Sequence, residues 1–201
     1  AIDLSKKFIA LSEKREKVKP LGIKYFVRDA ARLTGFRNKS FDIIVANMSL
    51  MDIPRADKAI KEFGRVLKHK GRFVFSITHP VFCDFYQEWT IIEHKNKKYF
   101  ARAIGRYLTT STEDTVLWAS GVKATQYHRS LDTYFKYLKD AGFLINDFRE
   151  IPTKSKVKKA VPEDGNIKLR CSRYKTLSEK KLKELATKEI PFFLVVEAIR
   201  S

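Results

Sequence analysis

Residues 40–53 read SFDIIVANMSLMDI, and this stretch decides the fold. Phe41 to Ala46 is apolar except for Asp42, the composition of a parallel strand covered on both faces. Pro54 follows, where a first helical residue tolerates it, and Ala56, Ile60, Phe63, Val66 and Leu67 recur at helical spacing, so a helix is expected as far as Gly71. RFVFSIT (Arg72 to Thr78) is then the next strand. Strand, helix and strand in succession form one crossover of a parallel sheet.

The same alternation extends in both directions. Ala1-Ile2-Asp3 reads as the end of a buried strand, and Ser5 is placed to cap a helix from Lys6 to about Lys17. Pro20 and Gly22 mark a turn, and IKYFV (Ile23 to Val27) is a short strand ending at Arg28-Asp29-Ala30. Downstream, Ser130 caps a helix whose Leu131, Phe135 and Leu138 face inward and whose Gly142 provides the left-handed stop. LINDFREI is a strand candidate, TLSEKKLKELATK a short basic amphipathic helix, and PFFLVVEAIR a closing strand. Between His79 and Arg129 neither period holds; the segment is rich in Phe and Tyr and carries both tryptophans. The expected fold is α/β, a mostly parallel sheet with helices on both faces. Such sheets bind ligands outside the carboxyl ends of their strands, which directs attention to Asp3, Asp29-Ala30, Asn47-Met48 and His79.

A chain of 201 residues with 44% hydrophobic content suffices for one sizeable core. No apolar run approaches the roughly 18 to 20 residues needed to cross a bilayer, and a cytoplasmic protein is expected. Cys83 and Cys171 lie far apart with no His or Cys at ligand spacing, so they are read as thiols, and no metal site is expected. The net charge of +18 favours anionic partners over a Debye length of about 8 to 10 Å. Much of it falls in Lys154 to Lys188, where the lysines scatter over loop and helix as a solvated basic face would.

In the order of its elements the chain resembles the class I S-adenosylmethionine-dependent methyltransferases, and within them the type 11 group of mostly small-molecule enzymes. The likeness rests on AIDLSKKFI, RDAARL, SFDIIVANMSLMDI, EFGRVLKHKGRFVFSI, HRSLDTYFKYLKDAGF and PFFLVVEAIR, in that order. It implies a Rossmann-like core with an antiparallel final strand, in which residues 1–77 form the cofactor-binding half, 78–129 an aromatic insertion over the acceptor, and 130–201 the rest of the core. It implies S-adenosylmethionine as cofactor and S-adenosylhomocysteine as product. Asp3 would accept from the ribose hydroxyls, a task for which an ionised carboxylate is suited because it takes two donors at once. Leu4 would press on the adenine, Asp29 would accept from its amine, the Ala30 N–H would donate to a ring nitrogen, and Asn47 and Met48 would line the methionine end.

One family feature is missing. A glycine-rich loop after the first family strand cradles the methionine half, yet the eight glycines here are isolated and no Gly-x-Gly occurs. In that family the first strand lies between AID and FDIIVA; without it each would bury unpaired backbone groups at about 1 to 3 kcal/mol apiece. About 40 to 50 further residues upstream are therefore expected, the length of one strand, loop and helix with a lead, and residues 1–201 alone are expected to bind the cofactor weakly.

Methyl transfer from a sulfonium needs the acceptor held in line at about 3 to 3.5 Å, and sometimes a base. The candidates are His79 at a strand tip and Tyr127-His128 before the late helix, both on the acceptor side in the family. The aromatic segment suits a planar or apolar acceptor, or a cation over ring faces; alternatively Phe82, Phe85, Trp89 and Trp118 form a small core of their own. ANMSLM stands where enzymes that methylate DNA amino groups carry Asn-Pro-Pro-aromatic, so nucleic acid is not the favoured acceptor. The expected activity is methylation of a small molecule. The alternatives are an RNA or protein methyltransferase docking through the basic surface, and a non-catalytic binding protein of the same fold.

Overall fold

The computed structural model describes residues 1–83, 87–94, 97–117, 122–152 and 190–201. The expected basic helix, Lys154 to Lys188, Cys171, Phe85 and Trp118 lie outside them.

Strand β1 (Ile2–Asp3) leads into helix α1 (Lys6–Val18), and β2 (Phe26–Val27) returns parallel to β1, with Ile2 opposite Phe26 and Asp3 opposite Val27. The Ser5 hydroxyl accepts from the Phe8 N–H at 3.3 Å, the N-cap expected of it. β3 (Phe41–Asn47) then passes through a 3₁₀ turn (Leu50–Asp52) and helix α2 (Ala56–Val66) to β4 (Leu67–Thr78). Four antiparallel strands follow as two hairpins: β5 (Gln87–His94) with β6 (Lys97–Ile104), and β7 (Ser111–Leu117) with β8 (Val122–His128). Helix α3 (Leu131–Asp140), β9 (Phe143–Pro152) and β10 (Pro191–Arg200) complete the core. The larger sheet has the order β3-β4-β10-β9. β3 and β4 run parallel, and β10 is antiparallel to both β4 and β9, so three strands share one direction.

The core lies on one face of that sheet. Phe73, Phe75 and Ile77 of β4 and Leu194, Val196 and Ala198 of β10 alternate inward, and α2 and α3 cover them with Ala59, Ile60, Phe63, Tyr134 and Leu138. Phe73 stacks on Phe75 at 5.2 Å between centroids and meets Phe63 and Phe143 at 5.1 and 5.6 Å. Each such ring, fully buried, contributes about 1.5 to 3 kcal/mol.

Three expectations need correction. Helix α2 stops at Val66, because Leu67 already pairs with Phe41; four residues bulge out before Arg72 pairs with Ile43. The left-handed residue of that bulge is Lys70 (φ +62°), while Gly71 is needed for contact, since a Cβ there would sit 2.8 Å from the Lys68 carbonyl oxygen. The strand expected over Ile23 to Val27 shrinks to its last two residues, as the Leu21 and Ile23 N–H groups donate to Glu16 Oε1 at 2.6 and 3.1 Å. β3 is not covered on both faces: Ala46 is buried, but Ile43 and Val45 are 46% and 67% exposed. Among the described residues β3 pairs only with β4 and β1 only with β2, and no ladder joins the two sheets. The absence of period between His79 and Arg129 reflects hairpins, whose alternation is broken by turns.

Candidate functional site

The tips of β1 and β2 present two carboxylates. The Asp3 Oδ1 accepts from the Ser5 N–H at 2.7 Å, and the Asp29 Oδ1 from the Ala31 N–H at 2.8 Å. In each case a turn built by the acid itself fixes one oxygen, and the other has no partner among the described residues on an exposed side chain. Leu4, beside Asp3, is 72% exposed. Ala30 and Ala31 pack against the main core, which carries this end of the small sheet toward the larger one. The loop that follows is held by Arg65, which donates to the carbonyls of Leu33 and Phe36 at 2.9 and 3.0 Å and pairs with Glu62 at 2.8 Å; that pairing holds the Glu62 carboxyl below the ordinary carboxylate range.

At the tip of β3, Met48 takes a left-handed conformation (φ +49°). Asn47 is exposed, Met48 half-buried, and both touch Ser76 of β4. Beyond them the chain turns through Leu50–Asp52, and here the structure brings distant candidates together. Arg129, 4% exposed, donates from Nη2 to the carbonyls of Ile53 and Pro54 at 2.8 and 2.9 Å and from Nη1 to that of Leu50 at 3.3 Å. Its guanidinium also lies 5.3 Å from the centre of the Tyr127 ring. The Gln126 amide donates to Asp52 Oδ1 at 3.4 Å, while burial raises the Asp52 carboxyl above the ordinary carboxylate range. Residues 126–129 thus close against the loop that begins at Asn47-Met48.

The two histidines are buried and engaged. His79, 1% exposed, accepts the Val81 N–H at Nδ1 (3.2 Å), which leaves Nε2–H to donate to Glu150 Oε1 at 2.8 Å. Burial pushes its pKa down, against the opposing pull of Glu150, and the geometry selects the neutral ring. His128 donates from Nε2 to the Tyr107 carbonyl at 2.7 Å, and the Tyr107 hydroxyl accepts the Leu131 N–H at the start of α3 at 2.9 Å. Tyr127 is half-buried. His79 is tied to β9, whereas Tyr127 and His128 belong to the junction of β8 and α3.

Ser76, Arg129, Asp52 and Glu150 escape a reading of the sequence. Arg129 carried one signal: a cation just before the N-cap Ser130 opposes the helix dipole, so another contact must hold it there. Ser76 carried a weaker one, a hydroxyl inside an apolar strand near its tip.

Among the described residues no helix is long and apolar enough to cross a membrane. Residues 1–75 match the family described as a methyltransferase domain. Among solved structures, a Mesorhizobium loti S-adenosylmethionine-dependent methyltransferase is 25% identical, with a TM-score of 0.66 over 99% of this chain and 78% of that one. A Listeria monocytogenes protein assigned to the same class is 23% identical, with a TM-score of 0.67 over 100% and 78% of the two chains. Geranyl diphosphate C-methyltransferase from Streptomyces coelicolor, solved with S-adenosylhomocysteine, is 14% identical, with a TM-score of 0.54 over 100% of this chain and 61% of that one. No curated protein matches. The order β3-β4-β10-β9 with its reversed β10, together with these likenesses, gives the chain the fold of the class I S-adenosylmethionine-dependent methyltransferases. The likeness to the Mesorhizobium loti and Listeria monocytogenes proteins supports S-adenosylmethionine as the cofactor.

Proposed function

We propose that the protein methylates a small molecule held between the loop after β3 and the end of β8. The observation that carries this reading is the closure of residues 126–129 onto Leu50, Asp52, Ile53 and Pro54, next to the strand tip where the cofactor's methionine end belongs. Asp3 and Asp29 fit the cofactor's nucleoside, since each keeps a carboxylate oxygen uncommitted among the described residues on an exposed side chain, beside exposed Leu4 and the Ala30 backbone respectively. Asn47 and Met48 line the other end. When bound, the cofactor supplies an activated methyl group on a positively charged sulfur. The chain's own residues orient the acceptor and exclude water.

Tyr127, half-exposed, is the candidate best placed to touch an acceptor. His79 and His128 support the walls through Glu150 and Tyr107, and the basic nitrogen of His79, Nδ1, acts as a base only after releasing the Val81 N–H. An acceptor hydroxyl or amine would lose its proton as its lone pair takes the methyl group, the carbon–sulfur bond breaking and its electron pair staying with S-adenosylhomocysteine. Asp52, with its raised affinity for protons, is suited to receive it.

A second reading, an RNA or protein methyltransferase, draws on the net charge of +18. Methyl-labelled S-adenosylmethionine, offered with a fractionated small-metabolite pool, total RNA and a protein extract, separates the two. Label in a small metabolite supports the first. Label in RNA, lost steeply between 50 and 200 mM salt as counterion release dictates, supports the second and removes the first.

A further inference from the structure

Ser76 stands directly across the parallel ladder from Asn47, and its hydroxyl meets two groups of the β3 tip. It accepts the Met48 N–H at 3.1 Å, a proton shared with the Ser76 carbonyl at 2.9 Å, and it lies 2.5 Å from Asn47 Oδ1. A hydroxyl has one proton to give, and Asn47 Oδ1 is the acceptor within reach. The amide oxygen of Asn47 is therefore turned back toward β4. Its Nδ2 hydrogens, for which the described residues offer no partner, are left as donors on an exposed side chain at the carboxyl end of the strand. The following peptide is strained: Met48 holds φ +49°, a left-handed conformation that a side-chain-bearing residue keeps only where its surroundings enforce it.

We propose that Ser76 is a positioning residue for cofactor binding. It locks the Asn47 amide with its donors outward, the polarity that fits the carboxylate of the cofactor's amino-acid end, and it anchors the strained Met48 peptide. This deepens the cofactor assignment and rests on it. Without the hydroxyl the amide is free to flip, and an outward oxygen would repel the same carboxylate. Ser76 touches no reacting atom and acts through Asn47.

The test uses the protein as encoded in full, with whatever precedes Ala1, and S-adenosylhomocysteine as probe, titrated by calorimetry against Ser76→Ala, Ser76→Thr, Asn47→Ala and the Ser76→Ala/Asn47→Ala pair. Ser76→Ala is expected to weaken binding about tenfold and Ser76→Thr, which keeps the hydroxyl, about twofold or less. The double variant should bind like Asn47→Ala alone. Parent-like affinity in Ser76→Ala, or losses that multiply in the double variant, overturns the proposal. A ligand-free measurement runs beside it: amide exchange at Met48 should quicken about tenfold in Ser76→Ala and not in Ser76→Thr. Unchanged exchange overturns the proposed anchoring whatever the probe does. A parent chain that shows the expected exchange pattern but no affinity for the probe counts instead against the cofactor-site reading.

Discussion

The guanidinium of Arg129 and the carbonyl of Pro54 lie 2.9 Å apart, joining residues 75 positions distant in sequence across the loop that follows β3. Neighbouring bonds to Ile53 and Leu50 make this a clasp: one buried cation satisfies successive carbonyls of a loop that forms no sheet. Arg129→Met should lower unfolding free energy by about 2 to 4 kcal/mol, because the carbonyls lose charged donors and stay buried. Arg129→Lys should recover little, since an ammonium lacks the planar fork that reaches several oxygens together. Urea denaturation of the three proteins measures this, and a change below about 0.5 kcal/mol in Arg129→Met would show that the clasp is not needed.

The His79–Glu150 pair predicts an acid-sensitive stability. Burial depresses the folded pKa of His79 below its ordinary 6.5, so below that pH the unfolded chain takes up a proton that the folded one refuses. Stability contributed by the neutral ring is complete above about pH 7.5 and falls as pH drops through 6.5 toward the folded pKa, by up to about 1.4 kcal/mol per pH unit. His79→Gln removes the titrating group and should flatten the profile between pH 7 and 5, even if its stability at pH 7.5 is lower. Melting curves at several pH values check this; an equally steep decline in the variant would contradict it.

Asp3 and Asp29 each commit one oxygen to a turn of their own making. Asp3→Asn and Asp29→Asn keep that oxygen and lose the ionised acceptor, so they should weaken S-adenosylhomocysteine binding by about ten- to a hundredfold for Asp3 and several-fold for Asp29. Melting temperatures should stay near the parent's, because both side chains are exposed. Calorimetry paired with thermal melts separates a binding loss from unfolding, and parent-like affinity in Asp3→Asn would exclude its role at the ribose.

Arg200 closes the opposite end of the core, donating to the carbonyls of Gly64 in α2 and Gly142 after α3 at 2.9 and 2.7 Å. A Cβ on Gly142, which holds φ +75°, would collide with the Arg200 guanidinium; one on Gly64 would sit 2.8 Å from the Ala141 carbonyl oxygen and force α2 away from α3. Gly142→Ala and Gly64→Ala should each cost about 1 to 3 kcal/mol, through backbone strain and overpacking respectively. Both substitutions lie far from the strand tips, so the fraction that remains folded should bind S-adenosylhomocysteine like the parent.

Periodicity and capping chemistry are local, and they carried most of the architecture. Ser5, Ser130 and Gly142 do what their types and spacing imply, because a cap or a left-handed stop depends on residues within one turn. Asp3, Asp29, Asn47 and Met48 could be singled out because a parallel sheet presents its carboxyl ends to a ligand whatever packs elsewhere. Contacts across large separations were decided by tertiary structure alone: that His79 is neutral and bound to Glu150, that Arg129 reaches Pro54, that Ser76 turns the Asn47 amide, and that Ile43 and Val45 stand uncovered. A hydrogen-bond partner or a covering helix is set by where the chain returns in space, and no local window of sequence holds that distance.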